Sequence, residues 1–157
     1  MRYLFIAISI LLAIPSFGQS PDQYVARGDK ELFDGFPESA LFYYKLAMKQ
    51  DTNMVEANFK AGEAYRAQRN YKRAAKFYDA TAGLDEQDEF PEVLYWLGVM
   101  QKQQGKYKEA KHSLTAFLAI YRLRDDFYRN ARDEQISCDW ACLLYTSPSP
   151  RDAHESR

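Results

Sequence analysis

The sequence is poor in the residues that make turns and in those that most often do chemistry. Its 157 residues include seven glycines, six prolines, two cysteines and two histidines. So few glycines and prolines argue against a turn-rich β fold and in favour of helices. Cys138 and Cys142 stand four apart, an awkward spacing for a disulfide on one helix. Without neighbouring histidines they do not make a zinc site either, so a small buried thiol is expected. An excess of one charge is also lacking. The 21 basic and 22 acidic residues leave a net charge of −1, which gives no electrostatic case for nucleic acid or an anionic membrane.

Motifs that carry chemistry are absent too. There is no G-x-x-x-x-G-K phosphate loop and no H-E-x-x-H zinc pair. His112 lies between Lys111 and Ser113 with no Ser, Asp or Cys pairing suggested, so it reads as an exposed helix histidine. The acidic run from Asp85 to Glu89 lacks the glycine and the terminal glutamate spacing of a calcium loop, and reads as a solvated inter-repeat loop. No catalytic residue, no metal and no cofactor is expected, and the chain is not expected to be an enzyme. The basic set Arg66, Arg69, Lys72, Arg73 and Lys76, interleaved with Tyr71 and Phe77, reads as a solvated helix exterior and turn.

The one long apolar run opens the chain, MRYLFIAISILLAIPSFGQS. Arg2 precedes it, Pro15 breaks it, and small residues follow. This is the pattern of a signal peptide over residues 1–19, cut before Gln19 or Ser20. The run is shorter than the roughly 20 residues a membrane-spanning helix needs, and no cysteine near the cut suggests a lipid anchor.

What the chain does have is aromatic side chains, 12 Tyr and 10 Phe, and an internal period. Gly28 and Gly62, Ala40 and Ala74, and Tyr44 and Tyr78 are each 34 residues apart. Gly98, Ala110 and Leu114 follow 36 residues later, as Tyr107 follows Tyr71. Each copy reads as two helices joined by a short turn, at Asp34-Gly35-Phe36, Arg69-Asn70 and Gly105-Lys106. Pro37 suits a first helical turn. The small residues let two backbones approach, and Tyr44, Tyr78 and Leu114 fill the space beside them. Such a hairpin needs a neighbour to bury its apolar face. The units run 21–54, 55–88 and 91–124. A terminal helix over 125–141 follows, capped by Asp125 or Asp126, with Phe127, Ala131, Glu134, Cys138 and Ala141 at helical spacing.

These landmarks resemble the tetratricopeptide repeat family. The motif is visible as Leu94-x2-Leu97-Gly98 and as Ala61-Gly62-x2-Tyr65 followed by Ala74-x3-Tyr78. The departures are Thr52, Glu86 and Arg122 where the closing proline is expected, Arg27 in the first copy, and Gln101 in place of the third copy's tyrosine. The resemblance implies an all-α helical-hairpin solenoid of about three units plus a C-terminal capping helix. Its packing positions fall on Gly28, Ala40, Tyr44, Gly62, Tyr65, Ala74, Tyr78, Gly98, Ala110 and Leu114. A groove carried by the first helix of each unit would hold Val25, Asp29, Leu32, Phe59, Glu63, Arg66, Tyr95, Val99 and Lys102. Its mixed apolar and charged character suits a protein or peptide partner, with no nucleic acid and no small-molecule substrate. The Lys/Asn carboxylate clamp of chaperone-binding members is missing, since Val25/Asp29 and Phe59/Glu63 stand there.

The repeats following a signal peptide, together with RNARDEQISCDWA, are similar to the N-terminal part of Bacteroidetes-type envelope proteins. Those carry a WD-type β-propeller and often an OmpA-like domain downstream, and some serve gliding or type IX secretion. That similarity implies a scaffold at the periplasmic face of the outer membrane, with membrane association through domains beyond this chain or through partners. The alternative is a regulatory or substrate-recruiting module of a larger exported enzyme. Residues 142–157, CLLYTSPSPRDAHESR, back-translate to a transposase mosaic end and adapter arm used in sequencing libraries. They are expected to be a non-native tail, loosely helical or without structure, on an N-terminal fragment.

Overall fold

The computed structural model describes residues 19–86 and 89–146. The expected signal peptide, apart from Gln19, and the tail beyond 146 lie outside the described residues. Seven helices follow in order: α1 Pro21–Phe33, α2 Pro37–Gln50, α3 Val55–Ala67, α4 Tyr71–Leu84, α5 Glu92–Gln103, α6 Tyr107–Ile120 and α7 Asp126–Thr146. They pair as hairpins α1/α2, α3/α4 and α5/α6, stack in that order, and end with α7 packed on α6. This is an all-α, tetratricopeptide-type solenoid with a C-terminal helix. None of these helices is long and apolar enough to cross a membrane.

Local chemistry sets the helix ends. Ser20 Oγ accepts from the Gln23 N–H at 3.3 Å while Gln23 Oε1 accepts from the Ser20 N–H at 3.2 Å, a reciprocal cap ahead of Pro21. Asn70 Oδ1 accepts from the Arg73 N–H at the start of α4. Of the two candidate caps for the last helix, it is Asp125 whose Oδ1 accepts from the Tyr128 N–H at 3.1 Å. That bond holds the Asp125 carboxyl below the usual carboxylate range, helped by the Tyr121 hydroxyl.

The three hairpin turns are copies of one another. Gly35, Arg69 and Gly105 occupy equivalent positions and all have positive φ, at 87°, 57° and 74°. In each, the next residue's N–H reaches back to a helix carbonyl: Phe36 to Glu31 at 2.8 Å, Asn70 to Tyr65 at 2.9 Å and Lys106 to Gln101 at 3.0 Å. This closure satisfies carbonyls the helix leaves free and requires the left-handed residue before it. The middle copy uses an arginine where its neighbours use glycine.

Within a hairpin the close approach is between a glycine and a large side chain, a tyrosine ring in the first two copies and a leucine in the third. A Cβ on Gly62 would lie 2.7 Å from Tyr78 Cε1, and one on Gly98 would lie 2.7 Å from Leu114 Cγ and 3.1 Å from the Ala110 carbonyl oxygen. Gly28 stands in the same relation to the Tyr44 ring. Tyr44, Tyr78 and Leu114 are wholly buried, as are Ala40, Ala74 and Ala110. The core then runs through the stack to α7, where Phe127 meets Tyr95 at 4.3 Å between ring centroids and Cys138 is sealed. Cys138 and Cys142 are not joined to each other in a disulfide, and burial pushes the Cys138 thiol up from its ordinary pKa. Helix α7 continues five residues past Ala141 into the expected tail, where Leu143 and Leu144 are 59% and 75% exposed.

Candidate functional site

The face formed by α1, α3 and α5 carries the nine groove residues, at two depths. Val25, Phe59 and Tyr95 are buried. They sit one per repeat beneath the face, and adjoining helices cover them. Leu32, Asp29, Glu63, Arg66, Val99 and Lys102 are partly exposed and form the surface a ligand would meet.

The charged members of this surface are paired within the chain. In the first repeat, Tyr44 Oη donates to Asp29 Oδ1 at 2.7 Å, and Lys60 of the next repeat lies 3.1 Å from Asp29 Oδ2. In the second, Tyr78 Oη donates to Glu63 Oε1 at 2.5 Å, and Arg66 Nε donates to the Tyr78 oxygen at 3.2 Å. Arg66 also pairs with Glu63 and lays its guanidinium 3.9 Å from the centroid of Trp96 on α5. Lys102 Nζ lies 2.6 Å from Glu134 Oε2 on α7. Each first helix is thus joined to the next by one polar link.

Burial raises both phenols well above the ordinary tyrosine pKa, and the Asp29 and Glu63 carboxylates add to the effect. Burial works against the Arg66 charge, but Glu63 outweighs it and holds the guanidinium pKa up. Tyr95 is raised as well, mainly by burial. Among the described residues no buried side-chain nitrogen or oxygen lacks a partner, and no group of three His, Cys, Asp or Glu is placed to hold a metal ion.

The acid–tyrosine pairs were not apparent from the motif. Both span fifteen residues, Asp29 to Tyr44 and Glu63 to Tyr78, and the third copy replaces the pair with Val99 and Leu114. Carboxylate and phenol are lost together, as expected if the buried phenol is not tolerated without its acceptor. A repeat-by-repeat comparison of polarity would have shown this. The basic set divides: Arg66 joins the groove, Arg73 lies 5.5 Å from the Tyr65 ring centroid, and Lys72 and Lys76 point to another surface. An open hollow of about 320 Å³ between Arg66, Tyr71, Trp96 and Val99 extends the groove at its centre.

Comparison with known proteins agrees with this geometry. Residues 91–122 match the family described as Tetratricopeptide repeat. The chain contains a tetratricopeptide repeat. The match covers α5 and α6, the hairpin with Gly98, Ala110 and Leu114 at its packing positions. Among solved structures, the first tetratricopeptide domain of Spaghetti (RPAP3), bound to the HSP90 peptide SRMEEVD, superposes with a TM-score of 0.68 at 17% identity, covering 80% of this chain and 97% of that one. The Yersinia enterocolitica type III secretion chaperone SycD, in complex with a peptide of the translocator YopD, gives 0.66 at 16% identity, covering 79% and 93%. YrrB, a tetratricopeptide protein with an unusual peptide-binding site, gives 0.66 at 21% identity, covering 78% and 64%. At these identities the likeness is one of fold. No curated protein sequence matches the chain.

Proposed function

We propose that the chain is a non-catalytic binding scaffold that takes an extended peptide or a helix from a protein partner along the α1/α3/α5 face, within an exported envelope protein. The observation that carries this is the centre of that face. There the half-buried Trp96, with the Arg66 guanidinium on its ring and Val99 beside it, leaves an open hollow at the middle of three stacked hairpins. An aromatic anchor flanked by satisfied polar groups is what a peptide backbone and one apolar side chain can use. The peptide complexes of Spaghetti and SycD support the reading by fold. The arrangement of signal peptide, repeats and terminal helix supports a place at the periplasmic face of the outer membrane, with gliding or type IX secretion as the assembly served and residues 142–157 contributing nothing to it.

The test is selection of peptides from a displayed random library on the purified chain, followed by titration of Trp96→Ala and Val99→Glu. Both positions are partly exposed but also pack against the core, so circular dichroism of each variant must first match the parent. Selected peptides should lose at least tenfold in affinity on either variant. Peptides that bind both variants as they bind the parent would refute the groove. Fractionation of cells producing the natural protein should place it in the envelope, and a cytoplasmic location would refute export.

A further inference from the structure

A hollow larger than the one beside Trp96 lies off the groove face. A cleft of about 750 Å³ lies between α4 and α6, floored by Ala82, Gly83, Leu94, Leu97 and Ala116 and rimmed by Gln101, His112 and Ser113. It uses the Leu94, Leu97, Gln101 stripe of α5, whereas the groove uses Tyr95, Val99 and Lys102. The repeats themselves explain it. The same place one repeat earlier, between α2 and α4, holds Met48 and Lys49 where the cleft has Ala82 and Gly83. It holds Tyr65 and Phe77 where the cleft has Gln101 and Ser113. There Phe77 stacks on Tyr65 at 5.3 Å between centroids and Met48 packs against the same core. In the cleft that aromatic stack is replaced by a hydrogen bond from Ser113 Oγ to Gln101 Oε1 at 2.8 Å. Two changes run the other way, Asn58 to Leu94 and Ala61 to Leu97; both leucines line the cleft, which stays open beside Ser113.

The cleft continues past Asp79, Leu97 and Gln101 into a second hollow of about 330 Å³ bordered by Lys72, Lys76 and Lys106. Lys108 lines the shared rim. All four lysines are exposed, and none forms an ion pair among the described residues. Asp79 and Glu109 are the acidic groups beside them, so this end carries an excess of positive charge. From Lys108 to Ala116 the trough follows α6 for about 12 Å, the length of about four extended residues.

We propose that this trough is a second binding surface, distinct from the groove, whose occupant is an acidic peptide segment of a partner protein carrying one aromatic side chain. The aromatic side chain takes the volume that Phe77 fills at the preceding junction, and the carboxylates meet Lys72, Lys76, Lys106 and Lys108.

The experiment uses the purified 157-residue chain and the fluorescein-labelled peptide EEFLEE, read by anisotropy and by amide NMR shifts. The expected result is saturable binding, weakening with salt, with shifts at Gln101, His112 and Ser113. Refilling the cleft after its neighbour, with Ala82→Met and Ser113→Phe together, should cut affinity at least tenfold. The probe EEALEE should bind at least tenfold more weakly than EEFLEE, and Trp96→Ala should leave binding unchanged. If the refilled chain does not fold, Lys72→Glu with Lys76→Glu, both on exposed positions, should abolish binding instead. The proposal is overturned by absence of binding to the parent chain, by equal affinity for the refilled or lysine-reversed variant, or by shifts confined to Trp96 and Val99. Sedimentation showing that the cleft is occupied by a second copy, with a dimer lost on refilling, overturns it as well.

Discussion

Gly62→Ala should destabilise the chain even though alanine is the better helix former. A Cβ at that position lies 2.7 Å from Cε1, 2.8 Å from Cδ1 and 3.2 Å from Cζ of Tyr78, closer than carbon atoms pack. The ring cannot step aside. Tyr78 has no exposed surface, and its hydroxyl is held by Glu63 and Arg66. Overpacking of this kind costs about 1–3 kcal/mol. The gain in helix propensity over glycine returns about 1 kcal/mol, so the net loss is about 0–2 kcal/mol. Gly83 is the internal control: it is helical and exposed, and a Cβ there meets nothing within 4 Å. Gly83→Ala should therefore gain about 0.5–1 kcal/mol. Urea unfolding followed by circular dichroism reads both, and the two midpoints should move in opposite directions, by on the order of 1 M for Gly62→Ala. A double-mutant cycle isolates the cause. Gly62→Ala on a Tyr78→Ala background should lose its penalty, giving a coupling of about 1–3 kcal/mol. If Gly62→Ala stabilises as Gly83→Ala does, or the two changes simply add, the close-approach account of the hairpin is wrong.

Two further outcomes follow from the same geometry. Arg69, at φ 57° in a turn where its equivalents are Gly35 and Gly105, should gain about 1 kcal/mol on Arg69→Gly, seen as a raised urea midpoint; a lowered one would mean the arginine side chain contributes more than its backbone costs. Tyr44 and Tyr78 have raised pKa values in the folded chain, so their neutral forms contribute stability that is intact below the free phenol value of about 10. That contribution is lost as pH rises above it toward the folded-state values. Wild-type stability should fall more steeply between about pH 10 and about pH 12 than that of the Tyr44→Phe, Tyr78→Phe double variant, and equal slopes would show that neither phenol is held neutral.

The hairpins were legible because their landmarks are steric necessities. A glycine facing a tyrosine ring is recorded in both residue types, and recurs wherever the contact does. The depth of the groove residues was not legible. Helical spacing places Val25, Phe59 and Tyr95 on the inward stripe of their helices, but how far they sink depends on the helices alongside, which no single repeat contains. The cleft was missed for a different reason. Reading for a repeat rewards what is kept, and the cleft is made of what is lost: Phe77 has become Ser113 and Tyr65 has become Gln101 at positions the motif tolerates.

The pairing of Asp29, Glu63, Arg66 and Lys102 would disarm the groove if a ligand could not compete with partners already in place. Magnitudes decide otherwise. The links between successive first helices are an ion pair, a cation–π contact and a second ion pair. Half-exposed ion pairs contribute about 0–1 kcal/mol, and an exposed cation–π contact about 0.5–1 kcal/mol. Exchanging one for a contact to a bound peptide costs little. The Tyr44 and Tyr78 hydroxyls are another matter, because a buried phenol stripped of its acceptor costs about 1–3 kcal/mol. A ligand on this face would therefore displace Lys60, Lys102 or the outer face of Arg66, and leave the Asp29–Tyr44 and Glu63–Tyr78 bonds intact. Those bonds fix the carboxylates in place, so the proposed partner would meet a rigid acidic framework with exchangeable cations laid over it.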